Sequence, residues 1–198
     1  MASEILDIPE HIKPSTMSLT MASNTKVFES AFNKSTSTAK FAGDRWQLTL
    51  SFENLDYEID TLSAFLFRIG GKSGRVRIPP YHRIGSPAAG SPVVQGSEQT
   101  GGMMTTKEWK PNRRVLRAGQ YFQVGDELKM LVEDCLSDNM GNATMIFVPW
   151  LRKSPSDGEK IITKRPTGIF RLTEDATEME LEPMNGSASV SFTEAFYV

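Results

Sequence analysis

Arg45-Trp46-Gln47-Leu48-Thr49-Leu50-Ser51-Phe52 decides how this chain folds. Trp46, Leu48, Leu50 and Phe52 fall on one face, and Arg45, Gln47, Thr49 and Ser51 fall on the other. Unbroken alternation suits a half-buried antiparallel strand, because successive strand side chains point to opposite sides. Gly43-Asp44 before it supplies turn chemistry. The period then changes. Ile59, Leu62, Phe65, Leu66 and Ile69 recur at helical spacing, so Asp56 to Ile69 is predicted as an amphipathic helix. Asp56 is placed to cap its first turn and Gly70-Gly71 to end it. Two long apolar faces this close in sequence are expected to cover one another.

Upstream, residues 1–14 show no clear period and read as an N-terminal arm. Thr16 to Thr20 alternates, with Met17 and Leu19 on one face, and Lys26 to Phe28 reads as extended after a turn at Ser23-Asn24. Downstream, Gly74 to Ile78 reads as a strand stopped by Pro79-Pro80. Residues 81–102 combine small residues, Pro87, Pro92 and repeated glycines, which predicts a long loop, and such loops usually have a function. From Met103 short strands follow closely: Met103 to Trp109, Val115-Leu116, Tyr121 to Val124, Glu127 to Cys135 and Ala143 to Val148. Lys160 to Thr163, Gly168 to Leu172, Met179 to Leu181 and Ser187 to Phe192 complete the series. The expectation is a mainly β protein: a β-sandwich with one amphipathic helix and an inserted small β-barrel-like module. Residues 15–102 and 161–198 would form the sandwich, with helix 56–69 and loop 81–102, and residues 103–160 the inserted module.

Composition narrows the function. The chain has 198 residues, 39 % of them hydrophobic, so a real core can be buried. The net charge of −2 argues against a dedicated nucleic-acid binder, which reads as strongly basic. Cys135 is the only cysteine, and with His11 and His82 alone beside it neither a disulfide framework nor a cysteine-rich zinc site is available. Cys135 itself reads as a small buried hydrophobe of a strand. No apolar run approaches the roughly 20 residues that span a bilayer, so no membrane insertion is expected. Met1 to Pro14 carries Glu4, Asp7 and Glu10 and no basic stretch, which does not read as a signal peptide; synthesis in a reducing, cytoplasm-like place is expected.

The charge is unevenly placed. Arg68 to Arg117 holds ten basic residues against Glu98 and Glu108, while both flanking segments are net acidic. Such a chain can present complementary faces to copies of itself or to a partner. Arg75, Arg77, Arg113 and Arg114 are the candidates for a subunit interface. Tyr81 and Trp109 are thin aromatic support for single-stranded nucleic acid beside them.

Catalytic patterns are missing. Gly85-Ser86, Gly90-Ser91 and Gly96-Ser97 lie in the expected loop with no strand-to-helix elbow around them. Glu133-Asp134 and Glu174-Asp175 are adjacent pairs that would point apart on a strand. Asp138 to Asn142 lacks the acidic spacing and final glutamate of a calcium loop and reads as a turn. Gly70, Gly71 and Gly74 around Lys72 miss the phosphate-loop spacing. No catalytic, cofactor or metal residues are assigned, and an assembly or binding protein is expected rather than an enzyme.

The order of segments resembles the distal tail or baseplate proteins of long-tailed bacteriophages. The strand from Trp46 to Phe52 runs into a helix ending at Gly70-Gly71, then come Gly74-Arg75-Val76-Arg77-Ile78-Pro79 and a Gly/Pro-rich passage. Leu116 to Met130, Ser137 to Thr144, Pro149-Trp150-Leu151-Arg152, Ser154 to Gly158 and a return near Gly168 to Leu172 complete the likeness over about residues 15–175. The resemblance implies a structural protein of the virion tail, made in the host cytoplasm. It implies six copies in a ring that joins the tail tube protein to the baseplate hub and other tail-tip proteins, and it carries no active-site residues. Two alternatives stay open: a receptor- or carbohydrate-binding β module, with Tyr57, Trp109, Tyr121 and Trp150 stacking on sugar, and an enzyme of the phage tip such as a wall hydrolase.

Overall fold

A computed structural model describes residues 4–41, 43–83, 85–175, 179–182 and 185–196, with the backbone alone for 179–182 and 185. In chain order the elements begin β1 (Ile5–Asp7), β2 (Thr16–Ala22), β3 (Thr25–Glu29), β4 (Thr36–Lys40), β5 (Arg45–Leu55), α1 (Glu58–Ile69) and β6 (Arg75–Ile78). Then come β7 (Gly90–Val94), β8 (Met103–Trp109), β9 (Arg114–Leu116), β10 (Tyr121–Val124), β11 (Glu127–Leu131), β12 (Cys135–Leu136), β13 (Ala143–Val148) and β14 (Ile161–Ile162). Last are β15 (Gly168–Leu172), β16 (Met179–Glu182) and β17 (Asn185–Glu194). The protein is mainly β with one helix, as its alternating segments predict.

The parent sheet runs β1-β6-β15-β17-β5-β2, with β16 hanging on β17. β5 sits between β17 and β2, antiparallel to both, with Leu50 opposite Val190 and Met17. Its alternation is used as expected: Trp46, Leu48, Leu50 and Phe52 are buried, with Gln47 exposed on the other side. Each such burial is worth about 1.5–3 kcal/mol, enough to fix the register, since a one-residue slip would turn all four outward. Leu62, Phe65, Leu66 and Ile69 of α1 enter the same core. Trp46 departs from the expected strand-on-helix pairing. Its indole N–H donates to the Leu128 carbonyl of β11 (2.9 Å) and its ring lies 6.1 Å from Tyr121, so it faces the second module.

Helix α1 starts at Glu58, not Asp56. Asp56 contributes its carbonyl, which accepts the Ile59 N–H (3.3 Å), and no side chain caps the helix. Gly70 does end it, in the left-handed region (φ 72°), where a residue with a β-carbon is strained.

The second sheet runs β14-β10-β11-β13-β8-β7. It curls until its ends nearly meet: Val93 bridges to Lys160, the Val94 N–H donates to Glu159 (2.9 Å), and the Gly158 N–H donates to Val94 (3.0 Å). This barrel-like module has its own core, including Met104, Phe122, Leu131, Met145 and Phe147, with the two phenyl rings edge to face at 5.4 Å. Its strands span 90–162, wider than the expected 103–160. The reason is β7, which forms inside the segment 81–102 read as a loop: Pro92-Val93-Val94 makes an edge strand there despite the surrounding Gly and Pro. β15 then leaves the module and pairs with β6 and β17 of the parent sheet.

The N-terminal stretch is also more than an arm. β1 pairs in parallel with β6, Ile12 is buried in the core, and Glu4 meets Arg68 at 3.2 Å.

The modules are joined through buried charge. The Lys129 ammonium, fully shielded from water, meets Glu127 at 2.6 Å and donates to the Trp150 carbonyl at 2.9 Å. Arg152 lies 3.6 Å from Glu194 of β17, which in turn accepts the Trp46 N–H (3.1 Å). Burial pushes the Lys129 pKa down, with Glu127 working against it; burial pushes Glu194 up, with Lys129 working against that.

Candidate interaction surfaces

The structure divides the four arginines singled out by charge. Arg75 turns back on its own loop and donates to the carbonyls of Lys72, Ser73 and Gly74 (3.2, 2.9 and 3.0 Å). Arg77 lies 3.7 Å from Asp126 in the barrel turn. Both belong to β6 of the parent sheet. Arg113 and Arg114 stand at β9, which pairs with β12 in a separate two-stranded sheet; both are exposed, and Arg114 meets Asp134 at 3.0 Å.

A different set of arginines shares a groove. Arg83, Arg114 and Arg117 line an open groove of about 570 Å³ together with Ser86 and Gln120, and among the described residues no acidic side chain lines it. Arg83 comes from the passage after Pro79-Pro80, and the other two from β9 and the turn that follows it. Asp134 sits beside it, paired with Arg114 and accepting the Ala118 N–H (2.9 Å). Those bonds hold its carboxyl below the usual aspartate range, the Ala118 N–H contributing most and Arg114 next. Among the described residues no carboxylate lies within ion-pair distance of Arg83 or Arg117. Sequence counting reached the basic segment but not this set, because Arg83 and Arg117 lie 34 positions apart in the chain and only the fold brings them together.

The second surface is the β3–β4 hairpin, which pairs with no other strand among the described residues. It follows the β2–β5 ladder beyond a bend whose two sides hold Ser23-Asn24 and Gly43-Asp44. The buried carboxylate of Asp44 pins that bend, accepting the Asn24 N–H (2.8 Å) and meeting Lys40 at 3.0 Å. Lys40 also lies over the Trp150 ring, 5.0 Å from its centroid. Burial alone would raise the Asp44 pKa; the Asn24 N–H and Lys40 outweigh it and hold the group below the ordinary value. Beyond the bend the hairpin exposes Val27, Phe28 and Phe32, with Phe32 fully open to solvent.

The proposed sugar-stacking aromatics do not form a platform. Trp109 is buried, its indole N–H donating to the Thr106 hydroxyl (2.8 Å). Tyr121 is half-buried between Trp46 and His82. Tyr57 and Trp150 are exposed on different elements. The Asp138 loop is closed on itself, its carboxylate accepting the N–H groups of Met140 and Asn142 at 2.8 Å each. Cys135 is buried, and desolvation pushes its thiol up to about 11. No group of three or more histidine, cysteine or carboxylate side chains among the described residues is arranged to hold a metal ion.

These surfaces belong to a mainly β protein made of a parent sheet and a barrel-like module. In comparisons with known proteins, no protein-family model matches the chain and no curated protein matches it by sequence.

Proposed function

We propose that this chain is a structural protein of a bacteriophage tail tip, whose copies form a ring joining the tail tube to the baseplate hub. The observation that carries the reading is the β3–β4 hairpin. An isolated two-stranded ladder is marginal in water, and an exposed Val27, Phe28 and Phe32 on it is surface that assembly covers. Its base is nonetheless held by Asp44, so the hairpin leaves the parent sheet in a set direction. A fixed arm with an apolar end suits repeated, head-to-tail contact between identical copies. The segment order that resembles tail-tip proteins supports the same reading.

The test is the assembly state of the purified chain by light scattering and electron microscopy. Rings of about six copies are expected, in line with the closed symmetry of most assemblies of identical chains. A chain that stays monomeric at high concentration, alone and with tail tube protein, overturns the reading. Replacing residues 26–39 with a tight turn, which keeps Lys40 beside Asp44, is expected to abolish rings while leaving the melting of the monomer nearly unchanged, because Val27, Phe28 and Phe32 belong to neither core.

A further inference from the structure

We propose that the tip of the β3–β4 hairpin, with Phe32 and Phe28 as its anchors, seats in the groove beside β1 and β6 of a second copy of this chain. The inference rests on the ring reading and names the contact that closes the ring. The groove measures about 960 Å³, toward the upper end of the roughly 300–1,000 Å³ of pockets that enclose a ligand. Ile8, Pro9, Ile12, Pro79, Pro80 and Tyr81 give it apolar walls. Two turns hold those walls: the Ile12 N–H donates to the Pro9 carbonyl (3.0 Å), and the Arg83 N–H donates to the Pro80 carbonyl (2.9 Å). A groove shaped before anything enters it keeps the ordering cost of binding low.

The occupant is equally prepared. Phe32 stands wholly in water, yet its turn is tied down. The Ser30 N–H donates to the Ser35 carbonyl (2.9 Å), the Lys34 N–H to the Ser30 carbonyl (3.1 Å) and the Phe32 N–H to the Ser30 hydroxyl (3.3 Å). Lys34 meets Glu29 at 3.1 Å across the same turn. Aromatic anchors that fill a pocket carry most of the energy of protein contacts.

Placement selects a second copy as the partner. β2 and β1 are opposite edges of the parent sheet, five strand steps apart, or about 24 Å. The pairings nonetheless put hairpin and groove at the same end of that sheet. Ala22 lies beside Arg45, Gln47 beside Thr193, Glu194 beside Phe170, Gly168 beside Ile78, and Asp7 beside Arg77. Copies set side by side in one orientation therefore bring the hairpin of each to the groove of the next. Such a contact joins two different patches and closes by rotation, which makes a ring. Asp7 and Glu10 on the groove have no ion-pair partner among the described residues. Lys26 of the hairpin has none either, and its ammonium stands over the Phe28 ring at 5.7 Å. Lys13 and Arg165 share the groove, so charge of both signs sets the register of entry and the apolar walls supply the attraction.

The test uses the full chain. A photoreactive benzoylphenylalanine at position 32 is irradiated under assembly conditions, and mass spectrometry locates the linkage. Linkage between copies, to residues 7–13 or 79–81, is expected. Phe28→Asp with Phe32→Asp is expected to weaken association by about tenfold or more in sedimentation velocity, and Ile8→Glu to do the same from the groove side. Circular dichroism confirms that each variant is folded. Mixed together, the two variants share one intact contact, so pairs are expected and larger species are not. If Ile8→Glu does not fold, the linkage and the hairpin variant decide. Linkage to another part of a copy, or a hairpin variant that assembles like the wild type, overturns the groove contact and leaves the ring reading standing. Linkage of position 32 to tail tube protein alone also overturns it, because the hairpin then serves that partner. A wild type that stays monomeric, alone and with tail tube protein, overturns both readings.

Discussion

Lys129 and Trp46 show what single residues do at the junction of the two modules. The Lys129 ammonium is enclosed with Glu127 and the Trp150 carbonyl as its partners, and Glu194 and Arg152 continue the charges into the parent sheet. Buried pairs of this kind add little net stability over an apolar filling, but breaking one leaves an uncompensated charge. Lys129→Met is therefore expected to cost about 3–5 kcal/mol in denaturant unfolding, since Glu127 stays behind. Trp46→Ala is expected to cost about 3–5 kcal/mol as well, through the cavity left in the core. Trp46→Phe keeps most of the volume but orphans the Leu128 carbonyl, so its cost should be nearer 1–3 kcal/mol. A loss below about 0.5 kcal/mol for Trp46→Ala would mean that Trp46 is not part of the core. Trp46 was legible as buried from alternation alone; its partner was not, because Leu128 lies 82 positions away.

At the scale of elements, strong periodicity was read correctly and weak periodicity was not. β5 and α1 carry enough apolar residues at one spacing to overrule every competing signal. β7 and β4 do not: Pro92 and the flanking glycines mask the first, and Thr36-Ser37-Thr38-Ala39-Lys40 has no apolar face at all. β7 takes its hydrogen bonds from β8 of the barrel-like sheet, and β3 and β4 take theirs from each other. The hairpin accordingly depends on its bend. Asp44→Ala is expected to speed amide exchange in residues 25–29 and 36–40 by about tenfold or more, with β5 protected as before. Acid should do the same. The folded pKa of Asp44 lies below that of an unfolded aspartate, so its contribution is complete above about pH 4 and is lost as pH falls through the lowered value. Uniform exchange rates across that range would show that Asp44 does not hold the bend.

For the whole molecule, the sequence pointed to a basic segment but not to a basic surface. The ten cations between Arg68 and Arg117 are shared among α1, the parent sheet, the passage after it and the barrel-like module. Arg75 and Arg77 are occupied inside the chain, while Arg83 joins Arg114 and Arg117 from a distance. Charge counted along a chain says how many groups need partners; only the fold says which of them find partners at home. The enclosure of Cys135 has a practical consequence at this same scale. With its only thiol shielded and almost wholly protonated at neutral pH, the native chain is nearly silent toward maleimides. A cysteine placed at the open position 32 would then be a unique attachment point for a fluorophore or spin label. Distances between hairpin tips of neighbouring copies could be measured in solution with little background from the rest of the protein.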